Sequence, residues 1–310
     1  MPVGEVKSVK SEKTAAYLQL ILTFSLWGSL YVAGKLVLES LPTFTIVFFR
    51  YVFAAALIGS LLRIRGTKTK KIAKKDYKYI VIIGFFGYFL SISSQFLGIR
   101  FASATLASII NSINPITIML AAAVFLRERL SPQKLLGIAL ALVGVYITVG
   151  GFDSGTQMTG ILFSLGSVAL WAVVSVVTRK VTQNYDPLKI TFYGMLLALC
   201  CNAPLCLYEL HTAETIRVSL PVAALLLYMG LFCTGLTYFL WNRCLSRLEA
   251  GICSMFYPVQ PLVSAVLGVL FLREKVTASL VLGGALIIGG VLAGLAQRKG
   301  TVPELPDAGR

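Results

Sequence analysis

The chain has 310 residues, of which 57% are hydrophobic and 13% charged, with a formal net charge of +15 and a mean hydropathy of +0.82. A soluble domain of this length cannot hide that much apolar surface, so the bilayer is its solvent. Backbone groups that meet no water must then be satisfied within helices or a closed barrel, and the long, unalternating apolar runs exclude barrel strands.

Residues 1–14 carry Lys7, Lys10 and Lys13 and lack a small-residue cleavage motif, so they read as a retained cytoplasmic segment rather than a signal peptide. Measured against bilayer thickness, the rest holds ten apolar segments: 15–33, 44–62, 79–97, 102–126, 135–149, 159–177, 190–207, 220–240, 251–272 and 279–295. The first carries Thr23, Trp27 and Tyr31 along one helical stripe, and the second contains Arg50, the only charge well inside a span. A basic linker, Arg63 to Lys78, leads to the third, where Tyr88, Ser91 and Gln95 share a face. Asn111, Asn114 and Pro115 lie in the fourth, and Gly137 and Gly144 in the short, glycine-rich fifth. The sixth carries Ser167, Trp171 and Ser175, and in the seventh the repeat partner of Arg50 falls near Met195, so the charge is not duplicated. Thr234, Thr237 and Trp241 follow in the eighth, Tyr257, Gln260 and Pro261 in the ninth, and Gly283 and Gly290 in the tenth. Residues 297–310 show no sustained apolar pattern and are expected to form a disordered cytoplasmic tail.

The second five segments repeat the first. Pro115 and Phe125-Leu126-Arg127-Glu128-Arg129 recur 146 residues later as Pro261 and Phe271-Leu272-Arg273-Glu274-Lys275, and an ungapped alignment of 115–149 on 261–295 gives eleven identities in thirty-five positions. A unit with five spans enters the membrane from the opposite side on its second pass, so the halves are related by a two-fold axis in the membrane plane. The charges agree. With the N-terminus inside, 22 Lys and Arg fall in cytoplasmic segments and 5 in external ones, as the positive-inside rule requires. The basic linker suits anionic lipid; nucleic acid is not an expected partner, since the charge lies between membrane spans.

Two tandem five-helix units, each with a Pro-bearing span, a Phe-Leu-Arg-Glu turn and a Gly-spaced last helix, resemble the EamA domain of the drug/metabolite transporter superfamily. Trp27-Gly28 and Arg50 fit the resemblance; Arg127 and Arg273 depart from it, because the family often has glycine before the acidic residue. The resemblance implies an all-α polytopic membrane protein of ten transmembrane helices in two inverted repeats, residues 15–149 and 159–296. It also implies a transporter whose cargo it does not name.

Polar side chains inside a span are costly unless they face a partner or a wet cavity. Three symmetric pairs of spans each bring such a stripe, which predicts a central cavity of Trp27, Tyr31, Tyr88, Gln95, Asn111, Asn114, Trp171, Ser175, Trp241, Tyr257 and Gln260. The rings offer apolar and cation–π faces, and the amides orient a ligand. Interfacial aromatic belts and interhelical hydrogen bonds are the competing reading. Pro115 and Pro261 remove backbone donors and are candidate hinges. Arg50 is either an anchor or a site for an anion or gate. Glu128 and Glu274 fall at helix ends, so no acid lies mid-span to relay protons, and the chain leans towards uncoupled transport or exchange. The six cysteines, Cys200, Cys201, Cys206, Cys233, Cys244 and Cys253, lack metal-like spacing and read as small buried apolar groups. His211, beside Glu209 and Glu214, lacks a ligand set. No cofactor, metal or catalysis is expected.

The leading expectation is a secondary transporter in the cell membrane that exports an amino acid or similar metabolite by alternating access, both termini being cytoplasmic. A multidrug or lipophilic-cation efflux carrier is the alternative, weakened by the missing cavity carboxylate. An integral membrane lipid-modifying enzyme would need an acid–base set or metal cluster that the chain lacks. A channel fits poorly with inverted repeats in one chain. Gly290-x-x-x-Gly294 serves either dimerisation or close packing within a monomer, so monomer and homodimer both remain open.

Overall fold

The computed structural model describes residues 3–66, 71–101, 110–111, 113–127, 131–149, 158–213, 218–272 and 278–295, and all of its regular structure is helical. Glu128, Arg129, Arg273, Glu274, Lys275, Glu214 and the tail 297–310 lie outside the described residues. Seven helical stretches are long and apolar enough to cross a membrane: Thr14–Leu38, Thr43–Arg65, Lys74–Phe101, Met158–Val181, Pro187–Thr212, Leu220–Arg247 and Ala250–Gly268. Shorter apolar helices at Asn114–Leu126, Leu135–Gly144 and Val281–Gly290 supply the fourth, fifth and tenth spans.

Packing follows the two-fold relation. The second span lies along the seventh, its own symmetry mate, and the fifth lies along the tenth. The first span packs on the eighth and ninth, and its mate, the sixth, packs on the third and fourth. Each repeat therefore completes its core with helices of the other, and neither half buries its faces alone. The fifth and tenth spans approach backbone to backbone: a Cβ on Gly144 would come within 2.6 Å of the Gly283 carbonyl, and one on Gly290 within 2.6 Å of the Gly137 carbonyl. The heptad glycines are thus used in reciprocal close packing within one chain, the small-residue route by which helices associate in lipid.

Two pairs of equivalent spans depart from α-helical geometry at equivalent depths. The third is π-helical over Ile82–Ser91 and the eighth over Leu231–Leu236. Wide turns misalign backbone carbonyls, and side chains from other spans take them up: Tyr51 donates its hydroxyl to the Tyr88 carbonyl, and Trp27 Nε1 donates to the Cys233 carbonyl at 3.2 Å. π-helical turns are rare and cluster at functional sites. The fourth and ninth spans tighten instead. Ile113 donates to Ile110, and Met255, Phe256, Tyr257, Val259 and Gln260 each donate to the carbonyl three residues back. Regular helix resumes at Asn114 and at Val259. Pro115 and Pro261 sit in the first turn of these resumed helices, where a missing N–H leaves no gap in the ladder. They mark a change of helical pitch rather than a mid-helix kink.

The C-terminal end of the fourth span explains one departure noted in the sequence. Arg127 caps that helix at φ 56°, ψ 32°, the left-handed conformation that glycine adopts without a Cβ penalty. Its amide satisfies the Ala122 carbonyl.

Candidate functional site

The midpoints of the first, second, third, fourth, sixth, eighth and ninth spans enclose a cavity. It is lined by Trp27, Leu30, Tyr31, Arg50, Ser91, Ile92, Gln95, Asn111, Asn114, Ser167, Trp171, Tyr238, Tyr257 and Gln260. Both repeats contribute, so the site lies where the halves meet. Its walls divide into an aromatic side and an amide side.

The aromatic side is a continuous cluster. Trp27 contacts Trp171 edge-on at 5.9 Å between ring centroids, Tyr238 at 6.0 Å and Tyr257 at 6.3 Å. Such offset and edge-to-face pairs add roughly 0.5–1.5 kcal/mol each beyond area burial. Trp27 can reach this position because Gly28 follows it. A Cβ at 28 would lie 2.6 Å from the Gln260 carbonyl, so glycine alone lets the first span press against the ninth.

The amide side is a hydrogen-bonded set. Gln95 Nε2 donates to Asn111 Oδ1 at 3.4 Å and to the Tyr31 hydroxyl at 3.5 Å, and Asn114 Nδ2 donates to Asn111 Oδ1 at 3.2 Å. Asn114 Oδ1 is buried and accepts no bond among the described residues.

Arg50 supplies the only charge among the described lining residues. Its side chain is 2% exposed. Nε donates to Thr234 Oγ1 at 3.0 Å, the guanidinium carbon lies 5.1 Å from the centroid of the Phe96 ring, and Nη1 is buried without a partner among the described residues. Thr234 in turn donates to the Met229 carbonyl at 2.8 Å, five residues back along the wide-turned segment. The guanidinium is therefore held in position at one nitrogen and has unused hydrogen-bonding capacity at another among the described residues.

The structure brings Trp27, Tyr31, Gln95, Asn111, Asn114, Trp171, Tyr257, Gln260 and Arg50 together at the cavity. It does not bring Tyr88, Ser175 and Trp241 there. Tyr88 is fully buried beneath the wall, its ring tilted against that of Tyr238 at 4.7 Å between centroids, and its hydroxyl accepts from Asn242 Nδ2 at 2.8 Å. Ser175 donates to the Trp171 carbonyl of its own helix at 2.7 Å. Trp241 packs on Phe24, Trp27 and Tyr257, behind the cavity rather than at the membrane interface. These three share a stripe with cavity residues but sit one to two turns along it, where the helices converge. Pro115 and Pro261 are buried just behind Asn114 and Gln260. Tyr238 lines the site without having been singled out; it follows Thr237 in the eighth span, and the wide turn there shifts the helical phase that a regular 3.6-residue count assumes.

The two ends of the cavity differ. Towards the face bearing the N-terminus the spans are tied together. Tyr17 packs 5.8 Å from Phe256, Arg179 Nη1 donates to the Leu245 carbonyl at 2.7 Å, and Gln183 Nε2 donates to the Ser246 carbonyl at 3.2 Å. Tyr185 bonds Asp76 Oδ2 at 2.5 Å across the two interhelical loops, and this contact pushes the Tyr185 phenol above its ordinary range. Towards the opposite face a recess of about 530 Å³ is lined by Lys35, Leu38, Glu39, Ser40, Leu41, Pro42, Thr43, Ile99 and Arg100. Lys35 and Ile99 lie one helical turn beyond Tyr31 and Gln95, so the recess begins where the cavity ends. The central cavity itself holds about 40 Å³. That admits water but not a metabolite, for which sites of a few hundred Å³ are usual. A metabolite would fit there only if the walls parted.

No cluster of three or more metal-ligating side chains occurs among the described residues. No disulfide forms among the described residues; Cys206, Cys233, Cys244 and Cys253 are buried as expected, whereas Cys201 is half-buried and Cys200 is exposed on the outer face of its helix.

Residues 14–150 and 158–294 each match the EamA-like transporter family. Among similar chains, an uncharacterized transporter, YetK, of Bacillus subtilis (strain 168) is 26% identical over 93% of this chain and 89% of its own. An uncharacterized transporter of Archaeoglobus fulgidus is 27% identical over 89% of this chain and 96% of its own. A protein of known crystal structure shares the fold with a TM-score of 0.78, at 21% identity, over 91% of this chain and 98% of that one.

Proposed function

The chain belongs to the EamA-like transporter family, and we propose that it is a secondary carrier exporting a small metabolite, an amino acid or a compound of similar size, by alternating access. The carrying observation is the cavity at the pseudo-two-fold axis, walled on one side by rings and on the other by neutral amides. Two repeats related by inversion exchange conformations to expose one site to either face. The ties at the N-terminal face and the recess opposite correspond to one of those two states. Breaking the Tyr17, Arg179, Gln183 and Tyr185 contacts while closing the recess would give the other.

The charge distribution supports a chain in the cell membrane with both termini cytoplasmic. The sealed face is then the inner one. Pro115 and Pro261, beside the two stretches of tightened helix, are the proposed hinges: mid-span 3₁₀ geometry needs little rearrangement to bend. Monomer and homodimer are both compatible with this mechanism.

A lipophilic-cation carrier fits the site less well, since the one charge among the described wall residues is positive. The test is counterflow in proteoliposomes across amino acids, nucleobases and organic cations, with Trp27→Ala alongside. Saturable exchange of one class, lost in Trp27→Ala with the fold preserved, is the expected result. If a folded protein moves no member of the panel, the carrier reading fails.

A further inference from the structure

The guanidinium of Arg50 is the least explained group in the molecule. It is a buried cation in the middle of a span and pairs with no carboxylate among the described residues. Burying an unpaired charge is among the most expensive arrangements a protein can adopt, and in a membrane such residues mark substrate pathways. One hydrogen bond to a neutral hydroxyl and one aromatic face offset little of that cost. A structural anchor would use its nitrogens on backbone carbonyls; Arg50 leaves Nη1 without a partner among the described residues and lines the cavity.

We propose that Arg50 is an anion subsite and that the cargo is an organic monocarboxylate, zwitterions included. This rests on the carrier reading and specifies its substrate class. One guanidinium neutralises one negative charge, and the other described wall residues are uncharged, so a dianion would remain half unpaired in a poorly hydrated site. A planar carboxylate matches the two-pronged donor geometry of arginine. The rest of the wall completes the recognition. Trp27, Trp171 and Tyr257 receive an apolar or aromatic body, and Asn114 Oδ1 offers an unused acceptor to a hydroxyl or ammonium group on the same molecule. The approach is compatible: Lys35 and Arg100 outnumber Glu39 in the recess one turn away. Thr234 is a positioning residue, fixing the guanidinium against the wide-turned segment of the opposite repeat.

The experiment uses the full chain in lipid nanodiscs and reads quenching of tryptophan fluorescence, Trp27 and Trp171 being in the wall. Phenylacetate and L-phenylalanine are compared with phenylacetamide and with phenyl phosphate. Saturable binding of at least one carboxylate, weaker for the amide and the dianion by about tenfold or more, is expected. Arg50→Gln should weaken carboxylate binding by roughly 10- to 100-fold while Arg50→Lys retains part of it. Thr234→Val, which keeps the volume and deletes the hydroxyl, should raise Kd several-fold with the acid-over-amide preference reduced. Equal binding of acid and amide by the unsubstituted protein, tightest binding of the dianion, or no carboxylate binding at all overturns the proposal. So does a folded Arg50→Gln that binds carboxylates as the parent does. Should Arg50→Gln misfold, the acid-to-amide ratio in the parent and in Arg50→Lys decides. Counterflow separates the two levels of the reading. Transport of neutral or cationic cargo unaffected by Arg50→Gln removes the anion subsite and leaves the carrier; absence of any transport removes the carrier.

Discussion

Replacing Gly28 by alanine should push the two repeats apart at the cavity wall. The added Cβ would lie 2.6 Å from the Gln260 carbonyl oxygen and 2.9 Å from Val263 Cβ, whereas ordinary contact begins at 3.4 Å. The first and ninth spans must therefore separate by about 0.8 Å, the difference between 3.4 and 2.6 Å. Neither obstacle is the far end of a flexible side chain, so the cost falls near the upper end of the overpacking range, about 3 kcal/mol. Alanine recovers roughly 1 kcal/mol of helix propensity over glycine, leaving a net loss of about 2 kcal/mol. Gly34 in the same helix is the control, because a Cβ there meets nothing within 4 Å; its replacement by alanine should gain up to about 1 kcal/mol. Thermal unfolding of the purified protein in detergent ranks the three forms, Gly34→Ala at or above the parent and Gly28→Ala clearly below both. Binding at the cavity should weaken in Gly28→Ala alone, since Gln260 moves with its carbonyl. A Gly28→Ala protein as stable as the parent, or a Gly34→Ala protein equally destabilised, refutes the close-approach argument.

Other substitutions test separate links. Arg127→Gly, at the left-handed cap, should stabilise by about 1 kcal/mol in the same assay; a loss would show that the arginine side chain contributes more than its backbone strain costs. Glu209 Oε2 accepts from the Thr45 amide at 2.7 Å and hydroxyl at 3.0 Å, capping the second span from the seventh. Glu209→Ala should therefore destabilise by about 1–2 kcal/mol, as lost N-caps do. Asn242 Nδ2 serves both the Tyr88 hydroxyl at 2.8 Å and Thr191 Oγ1 at 2.7 Å. Asn242→Leu should cost about 1–3 kcal/mol through the orphaned polar groups, measured by denaturant unfolding. Trp27→Phe keeps an aromatic body but strands the Cys233 carbonyl; a loss of about 1 kcal/mol or more is expected, and an unchanged midpoint would show that the indole nitrogen matters little.

The architecture was legible because it is written in long-range redundancy. The 146-residue offset, the odd number of spans and the paired prolines and glycines depend only on composition and spacing, which the bilayer makes unambiguous. The cavity was legible residue by residue where helices are regular. Trp27 and Tyr31 in the first span and Trp171 in the sixth face where a 3.6-residue count puts them. It was less so in the third and eighth spans, where π-helical turns change the phase. There the count overstated Tyr88 and Trp241 and passed over Tyr238. No local sequence signal announces such a turn, because what sustains it is tertiary: the Tyr51 hydroxyl and the Trp27 indole take carbonyls that the helix itself leaves misaligned. Depth along a stripe was the other failure. Ser175 lies on the correct face, yet its hydroxyl is spent on its own helix.

Inversion symmetry and recognition make opposite demands, and the chain separates them. Motion between two states requires equivalent mechanical parts in each half. These are present as the wide-turned segments of the third and eighth spans, the tightened stretches before Asn114 and Val259, and the reciprocal glycine contacts of the fifth and tenth. A ligand without two-fold symmetry requires the opposite, a wall whose halves differ. The differences concentrate at equivalent positions: Asn111 against Tyr257, Asn114 against Gln260, Tyr31 against Ser175, and Arg50 against Gly194, whose carbonyls lie against Gly230 and Gly84 respectively. The last of these is the sharpest, because it places a charge on one side of the axis only. Gly194 has no side chain, and its carbonyl lies 2.8 Å from where a Cβ on Gly84 would sit, so the second copy of the position serves close packing. On the carrier reading, the repeat accounts for how the site would move, and the positions where the repeat fails account for what it would hold.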